Sequence, residues 1–229
     1  MTLPIWKSDW IIAKRRKRLL ALNILIPLML VAPISISTAP PAHAAAVFTV
    51  LFVIFGTFGS SIPIIRDSES GLFKRYTLTG IHPGGLVLQR LFASATLDIL
   101  ELTPSIVFIF LSRGSPLVQM TSMIPALIVA IITANLIGAW AAAVARSIAE
   151  GALFSSVLAL LLLHFSGTFR SPSPKTWGAT IERWAPFRHL HESFLEITSG
   201  SVATLPSDFL LPVIVLCTGL CITGAWKKI

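Results

Sequence analysis

Six runs of this chain are long and apolar enough to cross a lipid bilayer as helices: residues 19–36, 44–64, 91–111, 117–145, 152–168 and 205–225. A spanning helix needs roughly 17–25 such residues, and each run is near or above that length. The composition agrees, with 54% of the 229 residues hydrophobic and 12% charged, against about 25% charged in a soluble domain. Mean hydropathy is +0.81. So few polar groups cannot clothe a water-soluble core, so lipid must be the solvent. The expected fold is an all-α integral membrane protein with six transmembrane helices, residues 1–229 forming one domain.

The net charge of +8 does not point to nucleic acid, because of where the charge lies. Lys7, Lys14, Arg15, Arg16, Lys17 and Arg18 crowd ahead of the first apolar run, which is a membrane-orientation signal. With the N-terminus inside, the outer connections hold only Arg113, Arg170, Lys175, Arg183 and Arg188 of the eighteen Lys and Arg residues. Both termini are therefore expected in the cytoplasm, with the chain multi-pass in the cell membrane. The sequence from Arg15 through Ala42-His43-Ala44 imitates a signal peptide, but a second apolar run begins at once, so cleavage is not expected. Cys217 and Cys221, four apart in the last run, read as small core residues rather than a zinc site or a disulfide.

Three segments outside the runs have a pattern of their own. Leu3, Trp6 and Trp10 fall at i, i+3 and i+7, with Ala13 next on that face and Lys7 and Lys14 opposite. This predicts an interfacial helix within residues 1–18, anchored by Trp6 and Trp10 at headgroup depth. The inner connection, 65–90, starts acidic and turns basic at Lys74 and Arg75, which suits a short helix. Pro83, Gly84 and Gly85 are expected to break it before the third span. In the outer connection, 169–204, Phe187, Leu190, Phe194 and Ile197 mark one helical face and Arg188, Glu192 and Glu196 another. An external amphipathic helix between spans five and six is predicted there.

Catalytic signatures are missing from the sequence. It has no Gly-rich Lys-Ser/Thr phosphate loop, no Gly-x-Ser-x-Gly elbow and no His-Glu-x-x-His pair. His43, His82, His164, His189 and His191 form no ligand cluster by spacing. No catalytic residue and no metal ligand is assigned, and no directly bound cofactor is expected.

The motifs that remain resemble those of type-2 ABC exporter permeases, the transmembrane subunits of ABC transporters for drugs, lipid-linked polysaccharides and peptides. A Trp-bearing interfacial helix runs into a basic cluster and the first span. Arg66-Asp67-Ser68-Glu69-Ser70-Gly71-Leu72-Phe73 resembles the family's Arg-Glu-x-Gly-Thr-Leu-Glu segment, with Ser70 inserted before the glycine and Lys74 in place of the usual acid. Residues 79–90 resemble its short return into the third span. Phe165-Ser166-Gly167-Thr168-Phe169 resembles its Ser-Gly signature, and Ala185-Pro186-Phe187 its helix before the sixth span. The resemblance implies that ATP and Mg are held by two copies of a separate cytoplasmic ABC ATPase. It also implies that a second permease chain, identical or related, completes the pathway. The inner loop would be the coupling helix, with Asp67, Glu69, Gly71, Phe73, Lys74 and Arg75 as its contact residues.

Polar residues inside the spans are the other candidates. At 1.5 Å per residue, Asp98 lies about 12 Å and Glu101 about 16 Å past Arg90, where an isolated carboxylate costs about 2.5 kcal/mol or more on insertion scales. Depth alone brings His164, about 18 Å past Ala152, and Asn135, about 16 Å before Arg146, to the level of Glu101. Asp98, Glu101, Asn135 and His164 are thus either a substrate pathway or a structural polar layer. Pro104 frees the carbonyl of Leu100, so a kink is expected there. The leading expectation is an export permease for a hydrophobic or amphipathic substrate. Its rivals are an intramembrane enzyme using Asp98, Glu101 and His164, and a non-transporting assembly or immunity protein.

Overall fold

The computed structural model describes residues 5–37, 39–112, 117–169 and 177–201. In chain order the helices are α1 Ile5–Arg15, α2 Lys17–Ile36, α3 Pro41–Glu69, α4 Leu72–Leu78, α5 Pro83–Ser112, α6 Leu117–Val144, α7 Ile148–Phe165, α8 Trp177–Trp184 and α9 Pro186–Thr198. Helices α2, α3, α5, α6 and α7 are long and apolar enough to cross a membrane, so the protein is multi-pass. They match the first five predicted spans. The sixth, 205–225, with Cys217 and Cys221, lies outside the described residues.

Two spans run well past their apolar limits. Helix α3 continues to Glu69 and α5 begins at Pro83, so most of the inner connection is helical. Their 29 and 30 residues amount to about 45 Å, against a hydrocarbon core of about 30 Å. Pro83 opens α5 rather than merely ending what precedes it, because a missing N–H costs nothing in a first turn. His82 Nδ1 accepts from the Gly84 N–H at 3.1 Å there. Helix α5 passes through Pro104 without interruption. Between α3 and α4, Gly71 has φ +69°, a left-handed turn that favours glycine. The end of the bundle carrying α1, α4 and the α6–α7 turn is called the basic end below.

Helix α3 is the hub, packed by α5, α6, α7 and α9. Its contact with α6 depends on small residues one turn apart on each helix, Gly56 and Ser60 against Ala134 and Gly138. A Cβ on Gly56 would overlap that of Ala134, and one on Gly138 would strike the Thr57 carbonyl and the Ser60 hydroxyl. Close backbone approach is the main source of attraction between spans, since lipid is as apolar as the side chains. It lets Ser60 Oγ donate to the Asn135 carbonyl at 2.7 Å. Helix α7 seats the same way: Gly151 leaves room for Ile65, and Ser155 Oγ meets Ser61 Oγ at 2.8 Å.

At the opposite end, α9 lays the predicted face on α3. Phe187, Leu190, Phe194 and Ile197 are buried, while Glu192 and Glu196 are exposed. The Phe194 ring lies 5.9 Å from Phe48 and 5.7 Å from Phe52, tilted against both. Each such side chain taken from water stabilises by roughly 1.5–3 kcal/mol. His191 Nδ1 sits 3.1 Å from Thr49 Oγ1. Burial lowers the His191 pKa below the usual 6.5, against smaller upward pulls from the Ala45 backbone and the Glu192 carboxylate.

Two outcomes follow from this packing. Gly138→Leu should cost about 1–3 kcal/mol or prevent folding, read by thermal unfolding in detergent. Gly85→Ala, with open space around it, should unfold at or slightly above the parent's midpoint. His191 binds its proton more weakly folded than unfolded, so its contribution to stability is full above pH 6.5 and is lost as pH falls below that value. The unfolding midpoint should therefore drop between about pH 7 and pH 5 more steeply in the parent than in His191→Gln.

Candidate functional site

Arg90 is the centre of the basic end. It sits two turns into α5 and is buried. Its two terminal nitrogens donate separately to Asp9 of α1 and Asp67 of α3. Arg66 approaches Asp67 from the other side at 3.5 Å, so two arginines face two aspartates. One guanidinium thus ties the first helix to the end of the hub and the start of the third span. Its Nε is buried without a partner.

A cavity of about 320 Å³ rises from this cluster between α1, α2, α3 and α5. Leu19, Phe58, Ile62 and Leu97 wall it, and Asp98 and Glu101 line its deep part with Asn23. Asn23 Nδ2 donates to Glu101 Oε1 at 3.0 Å. Asn135 Nδ2 donates to Asp98 Oδ2 and to the Ile131 carbonyl, both at 2.9 Å. Gly59 gives the Asp98 carboxylate its place, since a Cβ there would lie 2.5 Å from one oxygen and 2.6 Å from the other. Among the described residues neither carboxylate pairs with a Lys or Arg. Both rely on neutral amides and on the cavity, whose lining continues to Arg16, Arg66 and Arg90 at the basic end, the arrangement that makes buried carboxylates tolerable.

Of the four residues expected at one depth, the structure joins Asp98 to Asn135 but gives Glu101 a different partner, Asn23. His164 stands apart, exposed at the far end of α7 with its ring edge-on to Phe165 at 5.4 Å. The set of Asp98, Glu101 and His164 needed for acid–base chemistry is not assembled. Asn23 escaped the sequence reading, although it is the one polar residue between 19 and 34. The same argument that singled out Asn135 applies to it.

The inner loop also divides. Asp67 and Phe73 are buried, the first against Arg90 and the second in the apolar cluster of Ile64, Ile65, Leu86 and Val87. Gly71 makes the turn. Glu69 accepts from the Ile148 N–H at 3.1 Å, capping α7. Ser147 and Glu150 complete that cap, Ser147 Oγ accepting from the Glu150 N–H and Glu150 Oε2 from the Arg146 N–H. Lys74, Arg75 and Leu78 face outward on α4, Leu78 at 79% exposure. Leu78 was not foreseen; an apolar residue four past Lys74 on a short polar helix was its signal. On α1, Trp10 is partly exposed with Lys14 Nζ 5.1 Å from its ring centre. Trp6 lies on the same helix, its side chain outside the description.

A family model described as ABC-2 type transporter matches residues 3–198. Those residues take in every described helix, so the chain belongs to that family and is a transmembrane permease component of an ABC transporter. Members typically work with an ATPase subunit. No curated protein and no solved structure matches the chain significantly.

Removing one member of a buried ion group leaves the others uncompensated, at about 3–5 kcal/mol. Arg90→Gln should lower the unfolding midpoint sharply. Combining it with Asp9→Asn and Asp67→Asn should recover much of the loss, measured by the same thermal unfolding.

Proposed function

We propose that this chain is the permease half of an ATP-driven exporter that moves a hydrophobic or amphipathic substrate, such as a drug, peptide or lipid-like molecule, out of the cytoplasm or inner leaflet. The carrying observation is α4. It is a short helix between two spans, pinned by Phe73 while Lys74, Arg75 and Leu78 face away from the bundle. A face of two cations around one exposed leucine is the kind of small patch a partner protein buries. In this reading the basic end is cytoplasmic, α4 is the coupling helix, and two ATPase subunits hold ATP and Mg. A second permease chain, identical or related, completes the pathway in the cell membrane, and both termini are cytoplasmic, in keeping with the clustered Lys and Arg.

The cavity with Asp98 and Glu101 is the substrate-facing candidate. Its reach to the basic end suits loading from the cytoplasm or inner leaflet, and its carboxyl groups suit a substrate with a hydrogen-bonding or cationic head. Asp67 lies four residues before Gly71, so a pull on α4 reaches Arg90 and through it α5, which carries both carboxyl groups. Glu69, Asp67 and Phe73 act in this scheme by holding α4 in place.

Co-expression with the cognate ATPase tests the proposal. Lys74→Glu with Arg75→Glu should leave the permease folded but reduce both transport and complex-dependent ATP hydrolysis by about tenfold, as loss of a contact worth ~1.4 kcal/mol would. Unchanged transport and hydrolysis would remove α4 from the docking surface.

A further inference from the structure

Beneath the carboxylate cavity lies a second one, of about 490 Å³, between α1, the end of α3, α4 and the start of α5. Arg15, Arg16, Arg66 and Arg90 line it, with Tyr76 of α4 on the opposite wall. The acids that line it, Asp9 and Asp67, are both engaged by Arg90. Among the described residues Arg15 and Arg16 pair with no carboxylate. Four guanidinium groups therefore converge on one space against two carboxylates. The Arg90 Nε–H, in a side chain only 3% exposed, still lacks an acceptor. Burying a donor in this way is unfavourable unless something supplies the acceptor.

The location narrows the chemistry. Trp10, about one and a half turns before Arg15 on α1, borders an apolar groove with Phe92, Leu97 and Leu100, so the arginines lie where a headgroup would. Above them the adjoining cavity turns apolar at Leu20, Phe58 and Ile62 and ends at Asp98 and Glu101. Those carboxyl groups disfavour an anion going deeper. Planar guanidinium forks match the oxygens of a phosphate better than a point charge does.

We propose that this cavity binds a phosphate group, presented by an anionic lipid headgroup or as free phosphate, with Arg15, Arg16 and Arg66 as ligands. Such a ligand bridges α1, α3 and the wall of α4, so its occupancy sets how firmly the coupling helix is held. It adjoins the substrate cavity and shares Arg16, Arg66 and Arg90 with it, while Arg15 and Tyr76 line it alone; its test needs neither the ATPase nor a transported molecule, so failure here leaves the exporter reading standing.

The purified permease in detergent is titrated with dioctanoylphosphatidylglycerol, with dioctanoylglycerol and with inorganic phosphate, following the unfolding midpoint. Phosphatidylglycerol should raise the midpoint and dioctanoylglycerol, which lacks the phosphate, should not. An equal rise with inorganic phosphate identifies the free anion as the ligand; a rise with the lipid alone identifies the headgroup. Arg15→Gln with Arg16→Gln should weaken the apparent affinity about tenfold or more. Arg18→Gln, outside the cavity, should not. Arg66→Gln alone gives an independent reading if the double variant folds poorly. Equal shifts from phosphatidylglycerol and dioctanoylglycerol, or parental affinity in the variants that fold, would overturn the site.

Discussion

The close approach of α3 and α6 is the contact on which the other arrangements depend. Between spans in lipid there is little hydrophobic drive, so association rests on how near two backbones can come. Gly56 and Ser60 on one helix and Ala134 and Gly138 on the other remove the side chains that would keep them apart. With the helices this close, Ser60 reaches the Asn135 carbonyl, and the Asn135 side chain is held where it donates to Asp98. Gly59, on the neighbouring strip of α3, gives that carboxylate its space. A polar layer in mid-span thus follows from the spacing of small residues rather than from matching charges.

The basic end obeys a different rule. There Arg90 satisfies two aspartates at once and ties α1 to α3 and α5. Helix α4 is held by the Gly71 turn, the buried Phe73 and the half-buried Tyr76 packed on the same cluster, while Lys74 and Arg75 stay exposed. The proposed cycle uses this division: a rigid attachment on the inner side, an unburied patch on the other, and a short path through Asp67 and Arg90 into the helix that carries Asp98 and Glu101.

Much of the fold was legible because it depends on local period and composition. The buried face of α9 is the one that Phe187, Leu190, Phe194 and Ile197 describe at helical spacing, since a four-residue stripe of large apolar groups packs only one way round. The limits of α3 and α5 were not legible, because apolar runs mark where lipid is and these helices continue beyond it. The candidate site was legible in part. Asp98, Glu101 and Asn135 stood out as polar groups at depth, but depth is one coordinate and says nothing of rotation about each helix axis. His164 faces away for that reason, and Asn23 took the place expected for it. Asp67 and Glu69, which the family resemblance made coupling contacts, meet Arg90 and the start of α7, Asp67 buried and Glu69 at the surface.

By itself, then, the sequence determined that the chain is a bundle of membrane-crossing helices with amphipathic helices at its ends, a lopsided positive charge and the motifs of its family. These are properties of residues close together in the chain, and helical period and transfer to lipid act at that range. The tertiary structure alone decided which polar groups meet. Asn23 and Glu101 are separated by 78 residues, Asn135 and Asp98 by 37, and Arg90 and Asp9 by 81. Such pairings are set by which faces the small residues allow to touch, and that becomes defined only once the helices have packed.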